Sequence, residues 1–247
     1  MGLAQRVRDA RLSLQFYREK TGERAYGIYA RAGGRWQRRH PNSFAAARKV
    51  LLGAGEPPQP SPLPPYGSTV DVDGITMRVD ERMSEHNIRK LMRGRHTRHE
   101  RDLLGASLED GDRLMELGGG IGMVGIFASK RLDSENVFSY EPNPEIESLT
   151  RDNYALNDVS PTLTMAMVGR EAGERTFYRA PRFSRSSAHV KEDGAVAVSV
   201  PVLPFNEEVR RNRANVLVVD IQGGEAEFMD YADLSMIRLL LVEIHPD

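Results

Sequence analysis

The sequence predicts an α/β fold: a mostly parallel sheet with helices on both faces, preceded by a basic helical extension. Three observations carry this. Apolar segments suited to strands occur at Arg113–Leu117, Val137–Glu141, Leu163–Val168, Val216–Asp220 and Leu239–Ile244, and helical segments alternate with them. Several of these strands are apolar along their whole length, the pattern of strands covered on both sides rather than one. Charge is also divided unevenly: residues 1–50 hold 12 Lys/Arg against 3 Asp/Glu, whereas the other 197 hold 22 against 32, which sets the N-terminal piece apart.

Taken in chain order, residues 2–20 and 42–53 carry loose helical periodicity with arginines on the outer face, and 1–56 is expected as a helical extension. Pro57–Gly67 contains six prolines, so 57–68 is a stiff linker and 69–247 the main domain. Val70, Val72, Ile75, Met77 and Val79 alternate with polar residues around Asp73-Gly74, a hairpin signal. Residues 85–106 read as two helical pieces parted near Gly94, with Thr97 and Glu100 in capping-box spacing. Helices are expected over 122–131, after the cap Asn143-Pro144, and near Ala226–Tyr231, with a β section over 175–203.

Composition narrows the chemistry. The chain has 247 residues, 40% hydrophobic and 28% charged, enough for a packed core. It has no cysteine, which removes disulfides, thiolate metal sites and cysteine nucleophiles and fits a reducing compartment. The N-terminus lacks the apolar run of a signal peptide, and the longest apolar stretch, near Ile237–Ile244, is too short to span a bilayer. A cytoplasmic protein without a membrane partner is expected.

The sharpest motif is Glu116-Leu-Gly118-Gly119-Gly120-Ile-Gly122, where an acid ends a strand and glycines open a helix. Such a turn lets a ligand approach the backbone at the positive end of a helix. Glu141 ends the next strand, 21 residues after Gly120, where a carboxylate accepts ribose hydroxyls. The pair marks a nucleoside site. Gly120-Ile-Gly122-Met-Val-Gly125 also fits the dinucleotide pattern of an NAD(P)-dependent oxidoreductase. Glu116, ahead of the glycines, suits instead a cofactor with an amino-acid tail and no pyrophosphate.

These residues, with Tyr140-Glu-Pro-Asn-Pro144, Asn153-Tyr-Ala-Leu-Asn157, Val219-Asp-Ile-Gln-Gly-Gly-Glu225 and Val242-Glu-Ile-His-Pro246, resemble the FkbM-type class I methyltransferases over about residues 70–246. The resemblance implies a Rossmann-like, three-layer α/β/α domain, S-adenosyl-L-methionine as donor, and O-methylation of a sugar, glycan or secondary metabolite. Two departures stand out. Gln222 occupies a position where the family pattern more often has Glu, and the chain stops at Asp247 where the family normally continues into further strands. An N-terminal hairpin is a candidate to cover the edge left by those strands.

Cofactor contacts are expected from Glu116, Gly118, Gly119, Gly120, Gly122, Glu141 and Asn143, from Met167 and Val168 against adenine, and from Glu100, which otherwise completes the capping box. Candidate catalytic residues are Asp220, Glu225 and His245, a carboxylate or imidazole being needed to take the acceptor's proton. His86, His96 and His99 fit no usual ligand spacing, so no metal is expected. The basic segment 1–50 is a candidate nucleic-acid arm or, more simply, a solvated or homodimer-forming helical piece. The fourth strand ends Asp220-Ile-Gln-Gly rather than Pro-Pro-aromatic, which disfavours a nucleobase acceptor. A nucleoside-binding module without activity is the remaining alternative.

Overall fold

The computed structural model describes residues 62–180 and 194–244 in full, and N-terminal to them the backbone of three strands at 17–18, 25–32 and 35–38. The main sheet contains five parallel strands. They are β6 (Leu114–Leu117), β7 (Val137–Tyr140), β8 (Thr162–Thr164), β12 (Val216–Val219) and β13 (Leu239–Ile244), in the spatial order β13-β12-β6-β7-β8. The order runs outward from β6 in both directions, so the carboxyl ends of β6, β7 and β12 meet at one rim where the chain switches direction. The expected class of fold is present.

Burial explains the layering. Alternate residues of the central strands enter two separate apolar clusters. Leu114, Val216, Val218, Leu239 and Leu241 join the first, with Ile88, Leu91, Leu104 and Ile126. Met115, Leu117, Leu217, Val219 and Leu240 join the second, with Phe205, Val209 and Phe228. The first cluster draws on helices α1 (Glu85–Met92), α2 (Arg98–Gly105), α3 (Met123–Leu132) and α4 (Glu147–Ala155). The second draws on α5 (Phe205–Asn212) and α6 (Glu225–Tyr231). Helix α5 was not expected; Phe205 and Val209, one turn apart behind Pro204, supply its buried stripe.

Four expectations need correction. The N-terminal extension is not helical where it is described. Its strands β1 (Tyr17–Arg18), β2 (Ala25–Ala32) and β3 (Arg35–Arg38) form antiparallel pairs, and β2 adds antiparallel to β13. Of the helices read over 2–20 and 42–53, Tyr17–Arg18 is strand instead and the rest lies outside the described residues. The hairpin read at Val70–Val79 is present as β4 (Thr69–Val72) and β5 (Ile75–Arg78), but it forms its own two-stranded sheet. The edge beside β13 is taken instead by β2.

The expected third strand, Leu163–Val168, breaks at Met165-Ala166. Its first half is β8; its second half becomes β9 (Met167–Gly169), which leaves the main sheet to pair with β11 (Val196–Pro204) and, through it, β10 (Gly173–Arg179). Finally, Thr97 does not cap α2. It sits in the left-handed region at φ 45° and makes no side-chain cap bond, so the Thr97–Glu100 capping box does not form. Asn143 does cap as expected, its Oδ1 accepting the Glu145 N–H at 3.1 Å. Among the described residues no helix is long and apolar enough to cross a membrane.

The opposite rim, at the amino ends of the strands, is stitched by Asp112. Its buried carboxylate accepts from Arg238 Nε at 2.6 Å, from Asn215 Nδ2 at 3.0 Å and from the Glu109 N–H at 2.8 Å. Strands β6, β12 and β13 are thereby tied away from the functional rim. Asp112→Ala leaves Arg238 and Asn215 without their acceptor and is expected to lower the unfolding free energy by about 3 kcal/mol, read as a shifted urea midpoint.

Candidate active site

The rim is built on a close crossing of three strand ends. Past β6 the chain must pass between β7 and β12, and a side chain has no room there. A Cβ on Gly118, whose φ is +90°, would lie 1.9 Å from the Asp220 carbonyl oxygen, and one on Gly119 would lie 2.1 Å from Ser139 Oγ. The loop is fixed by its own amides: Gly118 and Gly119 donate to the Tyr140 carbonyl at 2.9 and 3.0 Å. Tyr140 is itself anchored, its hydroxyl donating to Glu208 Oε2 at 2.6 Å and accepting from Asn212 Nδ2 at 2.7 Å.

Two carboxylates face this loop. Glu116 is buried on β6, directly across from Ser139, whose hydroxyl donates to Glu116 Oε2 at 2.8 Å. Glu141, also buried, accepts the Gly120 N–H on Oε2 at 2.8 Å and the Asn143 N–H on Oε1 at 2.7 Å. Asn143 therefore orients Glu141 through its backbone, in addition to capping the Pro144–Ile146 turn. Burial pushes the Glu116 carboxyl up to about 8, against the Ser139 hydrogen bond and with the help of Glu141, Asp220 and Glu100. Burial likewise pushes Glu141 up to about 7, against its two amide donors. Among the described residues, no cation figures among the main groups acting on either carboxyl.

Glu100, buried on α2, thus belongs to the same electrostatic neighbourhood as Glu116. Asp220, half-buried after β12, completes it, its Oδ1 accepting from Gln222 Nε2 at 2.8 Å. Gln222 has φ 55° and turns back on Asp220 as a neutral donor; a carboxylate in its place would face Asp220 with like charge. Glu225, buried at the start of α6, accepts the Gly223 N–H at 3.1 Å and so shapes the same turn. Val219 of β12 pairs with Val242 of β13, which sets buried Glu243 beside Asp220 in the neighbouring strand.

The remaining expected residues fall as follows. Glu141 N–H donates to the Thr164 carbonyl at 3.0 Å, so the end of β8 adjoins the site. Met167 and Val168 follow on β9, half-buried and in register with Val202 and Leu203. His245 lies outside the described residues. His86 is exposed, His96 and His99 are half-buried, and among the described residues no group of three His, Asp or Glu is arranged to hold a metal.

Sequence reasoning missed the support beneath the glycine loop. One face of α4 carries it. Thr150 Oγ1 lies 2.8 Å from the Gly120 carbonyl, and Asn153 Nδ2 donates to the Ile121 carbonyl at 2.9 Å. Tyr154 packs where a Cβ on Gly122 would come within 2.6 Å of its ring. The same face binds the hairpin. Asn153 Oδ1 accepts from the Arg78 N–H at 2.9 Å, and Asn157 accepts from the Thr76 N–H at 2.9 Å while donating to its carbonyl at 2.7 Å. The signal was present in Asn153-Tyr-Ala-Leu-Asn157: two buried asparagines one turn apart satisfy a strand edge that has no other partner strand among the described residues.

Comparison with known proteins bears on this geometry. Residues 122–247, just over half of the chain, match the methyltransferase FkbM domain. The hexuronic acid methyltransferase AglP of Haloferax volcanii is 25% identical over 175 residues, covering 66% of this chain and 70% of the relative. The matched domain begins at Gly122, so the roles of Glu116 and of Gly118, Gly119 and Gly120 rest on geometry.

The asparagine pair makes a separable expectation. Asn153→Ala and Asn157→Ala should each destabilise the fold by about 2 kcal/mol, since each leaves buried backbone groups unpaired. Amide hydrogen exchange should accelerate at Arg78 in the first variant and at Thr76 in the second, with the other site protected.

Proposed function

Because this chain belongs to the FkbM methyltransferase family, we propose that it transfers a methyl group from S-adenosylmethionine to a hydroxyl of a sugar-type acceptor. The observation that carries the reading is the convergence of Glu100, Glu116, Glu141 and Asp220 on one rim, with no cation among the described residues acting on Glu116 or Glu141. Such a rim favours a ligand that is itself positive, and S-adenosylmethionine, with sulfonium and ammonium groups, matches it better than a pyrophosphate does.

The residue types fit the donor piece by piece. Glu141, preorganised by two amides, retains lone pairs for the ribose hydroxyls. Glu116 and Glu100 suit the amino-acid end. Met167 and Val168 are the apolar wall for adenine, and Gly120, with open space around its Cβ position, is where the backbone admits a ligand. When bound, the donor supplies a methyl group already activated by its positive sulfur. The protein's share is then alignment and proton transfer.

Asp220 is the group we assign to accept the proton of the acceptor hydroxyl; Gln222 holds its carboxylate in place. Glu225 shapes the turn beneath it. His245, which follows β13 in the sequence, is a second candidate proton acceptor. The hexuronic acid relative supports a sugar as the acceptor class.

Two expectations test the reading. Glu141→Gln should weaken S-adenosylhomocysteine binding at least tenfold by calorimetry in a variant that circular dichroism shows to be folded; unchanged affinity would sink the assignment. The second concerns pH. Both carboxyls ionise at higher pH in the folded than in the unfolded chain, so folding takes up protons. Their contribution to stability is complete below the ordinary carboxyl range and is lost as pH rises through about 7 and 8. Urea stability of the unliganded protein should fall between pH 5.5 and 8, and Glu116→Gln should flatten that slope. Binding of the cationic donor should release protons near pH 6.5, seen as a buffer-dependent calorimetric enthalpy.

A further inference from the structure

Outside the acidic rim, the most concentrated charge among the described residues is basic. Residues 89–98, from the end of α1 into α2, carry five Lys/Arg (Arg89, Lys90, Arg93, Arg95, Arg98) and no acid. At the flanks the charge is partly balanced: Arg89 lies 3.9 Å from Glu85, and Arg98 lies 3.6 Å from Asp102. Arg93 and Arg95, on the loop between the helices, are exposed and form no ion pair among the described residues.

This loop is held in one shape. Gly94 adopts φ 61° and closes α1, its N–H donating to the Leu91 carbonyl at 2.8 Å while the Arg95 N–H reaches the Lys90 carbonyl at 2.8 Å. Three residues later Thr97 is also left-handed, a conformation that costs a non-glycine residue about 1 kcal/mol and persists only where the surroundings impose it. The surroundings here are a buried arginine. Arg101, 4% exposed, donates to the Gly94 carbonyl at 3.1 Å, approaches the His96 carbonyl at 3.5 Å, and pairs with Asp73 of the hairpin at 2.9 Å.

The loop leads directly into the helix that carries Glu100. Glu100, adjacent to Arg101, acts on Glu116. Arg95 is five residues from Glu100, and that length of chain spans at most about 18 Å.

Resting on the function proposed above, we infer that the α1–α2 loop is a specificity element: Arg93 and Arg95 receive an anionic group, a carboxylate or a phosphate, carried by the methyl acceptor. The turn after β12 carries half-buried Asp220, with buried Glu225 on the same turn, so an anionic acceptor meets like charge there. Cations on that loop offset the repulsion and draw the acceptor in by its charged end, leaving a hydroxyl toward Asp220. Because the loop is already ordered by Arg101, little conformational freedom is lost when it binds.

The test compares acceptors that differ by one group: 4-nitrophenyl glucuronide against 4-nitrophenyl glucoside for a carboxylate, and glucose 1-phosphate against methyl glucoside for a phosphate. Methyl transfer and calorimetric binding to the S-adenosylhomocysteine-loaded protein are measured together, for the full chain and for the Arg93→Ala/Arg95→Ala variant. The expected result is a wild-type preference of tenfold or more for one anionic member over its neutral partner. In the variant that preference should collapse through KM, with kcat, thermal melt and S-adenosylhomocysteine affinity unchanged; which pair shows it identifies carboxylate or phosphate. Equal use or binding of charged and neutral partners, or a variant that alters both alike, overturns the inference while leaving the methyltransferase reading intact. So does tRNA binding that the variant abolishes without any change in acceptor preference. Failure to bind S-adenosylhomocysteine at all sinks the earlier reading instead, along with this one.

Discussion

The constraint on which the rest of this structure depends is the burial of two carboxyl groups at the point where three strands end. Removing a carboxylate from water is expensive unless hydrogen bonds or an opposite charge replace the lost hydration. Here one hydroxyl and two backbone amides do part of that work, through Ser139 for Glu116 and through Gly120 and Asn143 for Glu141. The remainder shows as raised ionisation of both groups. A fold that keeps such groups at its rim is arranged for something it does not itself contain, and positive charge is the simplest complement.

That arrangement would be worth little if the glycine loop were free to move. A loop with so little side chain has few contacts of its own, so its rigidity must be imported. Helix α4 supplies it from below, through Thr150, Asn153 and the ring of Tyr154. The hairpin supplies it from the side, because the asparagines that hold Ile121 also hold the β5 edge. The hairpin's turn reaches Arg101 through Asp73, and Arg101 sits next to Glu100. A two-stranded sheet that could not stand alone in water becomes a brace linking two elements of the rim, α2 and the glycine loop.

The sequence disclosed the rim better than the brace. Glu116, the glycines and Glu141 were legible because strand–turn–helix chemistry is local: an apolar run, a forced turn and an acid at fixed spacing say the same thing at three levels. Asn143 as a cap was legible for the same reason. The capping box at Thr97 was not borne out: the spacing exists, but Thr97 takes a left-handed backbone and its side chain makes no cap bond. The strand at Leu163–Val168 looked continuous because both halves are apolar; nothing local marks that the chain changes sheets at Ala166. The N-terminal strands were hidden for a different reason. The residues that pair with β13, Ala25–Ala30, lie between the arginine-rich segments whose loose helical spacing set the reading for the whole extension and obscured their own short run of tyrosine and isoleucine.

The distribution of charge gives these parts a common logic. A net charge of −1 conceals an acidic rim and a basic α1–α2 loop, separated by a few residues of chain at Arg95–Glu100. Charges of one sign lining a cleft draw in ligands of the other sign and hold off their own. An enzyme joining two substrates gains if each half of the cleft repels the other's substrate, because neither then occupies the wrong place. A cationic donor belongs with Glu116 and Glu141, and an anionic acceptor belongs with Arg93 and Arg95. Asp220, the proposed proton acceptor, is held by a glutamine whose neutrality adds no further negative charge beside it.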